Sequence, residues 1–209
     1  MKTRFLFVAL ACGLAVSSCG GGQKTELFNG RDLTGWVCVT DPASDADPAE
    51  TFSVVDGHIR IAGTPFGYMR TAVPYGDYRL HVEWRWIGEA TNSGLFQRVQ
   101  EGDKLWPAAI ECQLQAGHAG DLLGLGGAKI AGAESNGRVF IKKRSGGECE
   151  RPAGEWNKAE VVCVGDYIAV YINGVLQNEC TGAARNGYIA LQSEGGPVEF
   201  RNVCLTDPE

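Results

Sequence analysis

Several things are missing from this 209-residue chain, and each absence removes a class of function. No Cys-x-x-Cys pair occurs, which disfavours a zinc-thiolate site. No nucleophile elbow, phosphate loop, dinucleotide fingerprint or His-Glu-x-x-His motif is present, and "GLGG" at 124–127 is too short for a phosphate cradle. Long amphipathic helical periodicity is also lacking. Basic residues are fewer than acidic ones, 19 against 25. The surface therefore lacks the positive footprint that nucleic acid requires, and no nucleic-acid partner is expected.

The longest apolar run, Phe5 to Val16, follows Lys2 and Arg4 and precedes Ser17, Ser18 and Cys19. As a helix it reaches only ~18 Å, short of the ~30 Å hydrocarbon layer, so it reads as an export signal rather than a span. The small residues before Cys19 in "AVSSCGGG" resemble the bacterial lipobox. The expected organisation is a signal peptide over 1–18, lipidated Cys19 opening a flexible tether over 19–25, and one domain over 26–209. The product would be an exported lipoprotein, held at the cell envelope by its lipid alone.

What the chain does contain is glycine, 29 residues, and apolar patterns of period two. These argue for short strands joined by tight turns. In "DYRLHVEWRW" Tyr78, Leu80, Val82, Trp84 and Trp86 share one face and Arg79, His81, Glu83 and Arg85 the other. Asp56-Gly57 and Asn173-Gly174 are two-residue hairpin signals of type I′. Further strands are expected at 109–115, 137–143, 158–164, 187–192 and 197–205, with 40–50 as an acidic loop. The class is all-β, a sandwich of two antiparallel sheets.

Six cysteines remain beyond Cys19: Cys38, Cys112, Cys149, Cys163, Cys180 and Cys204. An exported chain with an even set suggests disulfides, and the loop-placed Cys149 and Cys180 are the expected pair. Cys112 and Cys163, among strand apolars, read as buried thiols.

Polar residues on strand faces are the remaining candidates for chemistry. In "WPAAIECQLQAGHAGD" Glu111, Gln113 and Gln115 alternate with Ile110, Cys112 and Leu114. A carboxylate followed by amides supplies directional donors and acceptors suited to sugar hydroxyls, where an ordinary solvated face favours Lys, Glu and Thr. Arg98 after "NSGLFQ", Asn92 in the same segment, Glu83 and Arg85, and Gln192 with Glu194 in "LQSEGG" extend the set. Trp36, Trp106 and Tyr68 are candidate stacking platforms, His118 in a glycine-rich loop is a candidate proton donor, and His58 reads as structural.

Taken in order, "ELFNGRDLTGW", "HVEWRW", "NSGLFQR", "IECQL", "PAGEWN", "YINGV" and "GYIALQSEGGPVEFRNVCL", from Glu26 to Leu205, resemble the 3-keto-disaccharide hydrolase family. That resemblance implies a concanavalin- or LamG-like jelly roll whose concave sheet holds the site. It also implies cleavage of glycosides already oxidised to a ketone at C3, by elimination across C1 and C2 to a 2-hydroxy-glucal followed by hydration. A C3 ketone acidifies the C2 proton, so one carboxylate can start the reaction without the oxocarbenium-like ion that requires two opposed carboxylates. Glu111 is the expected base, with Arg98 or a bound divalent cation facing the developing enolate, Gln113 orienting hydroxyls and His118 protonating the leaving oxygen. The chain departs from many relatives in having Ala116 where they carry an aspartate and Glu194 where they carry a histidine. A sugar-binding lipoprotein without catalysis is the competing expectation. Convergence of Glu111, Arg98 and a second acid or His118 on one pocket would favour catalysis, and divergence would favour binding.

Overall fold

The computed structural model describes residues 24–208, which places Cys19 and the expected signal and tether outside the described residues except for Lys24 and Thr25. Two eight-stranded sheets pack face to face, and every strand pairing is antiparallel. The back sheet runs Val175–Cys180, Tyr167–Ile172, Asn157–Val164, Tyr78–Trp86, Val198–Thr206, His58–Ile61 and Phe52–Val55, with Thr25–Glu26 also paired to Val198–Thr206. The site sheet runs Glu134–Ser135, Phe140–Lys142, Leu122–Leu125, Ala109–Gln113, Gly94–Val99, Tyr188–Ser193, Gly67–Thr71 and Trp36–Thr40.

The alternation in Tyr78–Trp86 is realised residue by residue, with Tyr78, Leu80, Val82, Trp84 and Trp86 buried and the four between them half-exposed. Burying each such large side chain contributes roughly 1.5–3 kcal/mol, so this one strand anchors much of the layer between the sheets. From the other side Leu95, Ile110, Cys112, Leu114, Leu122 and Leu191 complete the same core. Both hairpin signals hold: Asp56 and Gly57 have φ of 51° and 76°, and Asn173 and Gly174 have 49° and 84°. Positive φ at both central residues is what a type I′ turn demands, and Asn or Asp followed by Gly tolerates it best.

The differences from the sequence reading are local. The acidic loop ends in a four-residue helix, Pro48–Thr51, started by Asp47, whose side chain accepts from the Ala49 amide at 2.9 Å. The strand expected over 109–115 stops at Gln113. There the Gln113 side-chain oxygen accepts from the Leu114 and Gln115 amides, both at 3.0 Å, and turns the chain out of the ladder. The expected strand at 137–143 shrinks to Phe140–Lys142.

The Cys149–Cys180 bridge is not formed, and all six described cysteines are free. Cys180 is buried on its strand, while the Cys149 sulfur is engaged with the Gln177 amide nitrogen at 3.1 Å and the Ile172 carbonyl at 3.2 Å. Cys112 and Cys163 are buried thiols, both wholly shielded from solvent. No helix among the described residues is long and apolar enough to cross a membrane.

Candidate active site

The floor of the site follows from pleating in Ala109–Gln113. Ile110 and Cys112 point between the sheets, so Ala109, Glu111 and Gln113 must point to the outer face of the site sheet. On that face Glu111 stands opposite Phe96 and Leu123, and Gln113 opposite Gly94. Tyr68, Phe96, Val99, Ala109, Leu125 and Ala190 form a second apolar cluster there. Glu111 is consequently a carboxylate set among apolar side chains and only 2% exposed. A glycine at 94 makes room for it, since a Cβ at that position would collide with both Glu111 Oε1 and Gln192 Oε1.

Strand Tyr188–Ser193 delivers the other half of the site. Gln192 Nε2 donates to Glu194 Oε2 at 2.7 Å, and the Asn92 side chain also hydrogen-bonds Glu194. The loop is pinned by Ser93 Oγ donating to the Gln192 carbonyl at 2.8 Å and by the Gly196 amide donating to Thr91 Oγ1 at 2.6 Å. Three oxygens have no partner: Glu111 Oε1, Gln192 Oε1 and Asn92 Oδ1. Buried polar atoms are almost always satisfied, so three orphaned acceptors on one site are a signature of something the site is built to receive.

Above this floor lies a hollow of ≈ 760 Å³, lined by Glu111, Gln113, Gln192, Glu194 and Asn92 together with Leu123, Leu125 and Gly126. That volume suits a mono- or disaccharide-sized ligand. Trp106 and Phe66, 40% and 44% exposed, also line it, with their rings 6.1 Å apart and tilted by 53°. Asn136, Arg138 and Val139 close the far side.

Electrostatics separates the two carboxyls. Burial, and secondarily the charge of Glu194, pushes Glu111 well above the usual carboxylate range. Burial also holds Glu194 above the usual carboxylate range, and its hydrogen bonds from Asn92 and Gln192 offset only part of that rise. Among the described residues no group of three or more His, Cys, Asp or Glu side chains is arranged to hold a metal.

The hollow thus gathers Glu111, Gln113, Asn92, Trp106, Gln192 and Glu194 from the sequence candidates, and excludes the others. Arg98 sits on a bulge, with φ of 58° and a register break opposite Tyr188 and Ala190. The bulge turns its side chain away to the end of the sandwich. There it donates to the carbonyls of Tyr75, Gly76 and Gly165, lies 3.5 Å from Asp77 and stacks over Tyr78, with only 1% exposure. It clamps loops rather than facing a ligand. His118 is a surface side chain, 56% exposed, 3.5 Å from Asp121 and absent from the hollow's lining. Gln115 is exposed beyond the strand end. Glu83 and Arg85 belong to the back sheet, where Glu83 accepts from Arg201 at 2.7 Å and Arg85 donates to Glu199 at 2.8 Å. Of the proposed platforms, Trp36 is buried and donates to the Leu27 carbonyl, and Tyr68 is wholly buried beneath Lys104, leaving Trp106.

Sequence reasoning missed Phe66, Arg138 and Leu123. Only Phe66 carried a signal, an aromatic between Pro65 and Gly67 where no core strand was expected.

Solved structures share this two-sheet jelly-roll sandwich fold. A candidate glycosyl hydrolase from Parabacteroides distasonis superposes with a TM-score of 0.66 at 23% identity, covering 90% of this chain and 94% of its own. The carbohydrate-binding module CBM66 of Bacillus subtilis gives 0.60 at 12% identity over 81% and 94%. The β-glucanase of Bacillus licheniformis gives 0.57 at 17% over 91% and 99%. No curated protein sequence matches the chain. The model of the 3-keto-alpha-glucoside-1,2-lyase-like domain matches residues 23–206, and the chain belongs to that family.

Proposed function

We propose that the protein cleaves 3-keto-glycosides by eliminating the C1 substituent across C1 and C2 and then hydrating the resulting 2-hydroxy-glucal. The observation that carries this reading is the unpaired, buried carboxyl of Glu111 beside Glu194 on the floor of a sugar-sized hollow. Elimination next to a ketone needs one group to remove the C2 proton and one to protonate the leaving oxygen, and two carboxyls in unlike surroundings supply both roles. Gln113, Gln192 and Asn92 present amides to ring hydroxyls, and Trp106 with Phe66 offers apolar faces to the sugar or its aglycone.

We further propose export and lipidation at Cys19, supported by the charged, apolar and small-residue order of the first nineteen positions. Acyl labelling that is lost in Cys19→Ser checks it.

The catalytic reading is tested by incubating the protein with a panel of 3-keto-glucosides and with the same glucosides unoxidised. Aglycone release from the oxidised set alone, with transient 2-hydroxy-glucal, is the expected result. Binding of the oxidised sugars without turnover would instead identify a sugar-binding module, the reading that the displacement of Arg98 and His118 from the hollow favours. Release from unoxidised glucosides would identify an ordinary glycosidase.

A further inference from the structure

We propose that Glu194 is the base that takes the C2 proton and Glu111 the acid that protonates the leaving oxygen, with the Gln192 amide holding the two carboxyls in opposite protonation states. The inference rests on the lyase reading above and assigns its proton traffic, reversing the role that sequence alone gives Glu111.

One amide links the two carboxyls. Gln192 donates one Nε2 hydrogen to Glu194 Oε2, at 2.7 Å, so its Oε1 is turned the other way. That oxygen shares a small space with Glu111 Oε1, because a single Cβ built on Gly94 would strike both. Both oxygens are buried and without a donor. Two acceptors confined to one such space repel unless a proton lies between them. A protonated Glu111 supplies it, donating to Gln192 Oε1, and the amide then donates onward to Glu194, which must be ionised to accept well.

The surroundings agree with this polarity. Glu111 lies on an apolar floor beside Phe96 and Leu123, where a neutral acid is the stable form. Burial raises Glu194 too, but it is only half-buried and receives two side-chain hydrogen bonds, from Asn92 and Gln192, that favour its anion, whereas Glu111 receives none. The remaining charged group on the hollow is Arg138, exposed on its far wall.

The cycle balances. The Glu194 carboxylate takes the C2 proton, the C2–H electron pair forms the C1=C2 bond, the C1–O bond breaks, and the leaving oxygen takes the Glu111 proton. Glu111 is now the carboxylate and Glu194 the acid. In hydration Glu111 accepts a proton from the water that adds to C1, and Glu194 returns its proton to C2, which restores both groups. Gln192 is a positioning residue throughout.

The test compares Glu194→Gln and Glu111→Gln on 3-keto-glucosides with a sugar aglycone and with 4-nitrophenolate, which leaves without a proton, and follows C2 hydrogen exchange in deuterated water. Loss of Glu194 is expected to lower turnover of both substrates, and C2 exchange, by about 10²–10⁴-fold. Loss of Glu111 is expected to lower turnover of the sugar aglycone by a similar factor while sparing 4-nitrophenolate release and C2 exchange. The reverse pattern, or equal loss in all assays for both variants, overturns the assignment.

Infrared spectra read the protonation states with no substrate present, and so separate this inference from the functional reading. A protonated carboxyl stretch at neutral pH that vanishes in Glu111→Gln and persists in Glu194→Gln is expected. Its absence, or its loss in Glu194→Gln, contradicts the assignment, as it would if a cation held both carboxyls ionised. A wild-type protein inert toward every 3-keto-glucoside would overturn the functional reading itself.

Discussion

Two glutamates in this sandwich are equally hidden from water, and almost nothing else about them agrees. Glu111 on the site sheet and Glu199 on the back sheet are each 2% exposed. Glu199 accepts from Arg60 at 2.7 Å and from Arg85 at 2.8 Å, with His58 at 3.9 Å, and Trp156 stacks beneath Arg85 and Arg201 at 4.6 and 4.0 Å. Burial alone would raise its pKa, but the hydrogen bonds and charges of Arg60 and Arg85 outweigh that and hold it below the usual range. Glu111 has no cationic partner, and burial drives it the other way. One carboxylate is compensated and contributes to the fold. The other is left uncompensated beneath a hollow, the arrangement expected where a perturbed acid does chemistry.

Substitutions sharpen the contrast, the largest effect first. Glu111→Gln is expected to lower steady-state turnover of a 3-keto-glucoside with a sugar aglycone by about 10²–10⁴-fold while leaving the circular dichroism spectrum unchanged. Glu199→Gln is expected to do the opposite, leaving turnover unchanged and costing about 1.5–3 kcal/mol in denaturant unfolding at neutral pH. Its contribution is present above the pKa of an unfolded carboxyl and fades as pH falls through the lowered folded value, so the two proteins should converge in acid. Trp106→Ala removes an apolar face at the rim and should raise KM roughly fivefold to tenfold, with kcat little changed. His118→Ala should change turnover by less than about twofold, since an exposed loop side chain that does not line the hollow has no part in proton transfer.

The same contrast shows what could be read from residues alone. Alternation in 78–86 and 109–113 placed the core correctly, because period two is a direct consequence of the pleat. It separates two faces of a strand but does not say which sheet the strand joins. That is why Glu83 and Arg85, polar on the correct alternation, proved to belong to the ion-pair network of the back sheet. Arg98 was misplaced for a different reason. A bulge costs one residue of register, and an arginine at φ of 58° carries no sequence signal comparable to Asn-Gly. Gln115 left the site face because Gln113 turned its own oxygen onto the backbone, a choice between side chain and ladder that propensity does not resolve. Glu194 was visible in "LQSEGG", but its partnership with Glu111 depends on two strands about eighty residues apart pairing through Gly94–Val99.

The burial of Glu111 without a cation beside it is read from the pH dependence of unfolding in the wild type and in Glu111→Gln. An unfolded glutamate ionises near about 4.3 and the folded one well above it. Across the interval between those values the ionised form favours the unfolded chain, so wild-type stability falls by ~1.4 kcal/mol for each pH unit. The non-titrating glutamine escapes that loss. Glu111→Gln is expected to gain stability over the wild type as pH rises from about 4 toward about 8, and the gain is expected to shrink toward zero in acid. A substitution that changes stability by the same amount at every pH would show that Glu111 titrates alike in the folded and unfolded chain, and would contradict that reading.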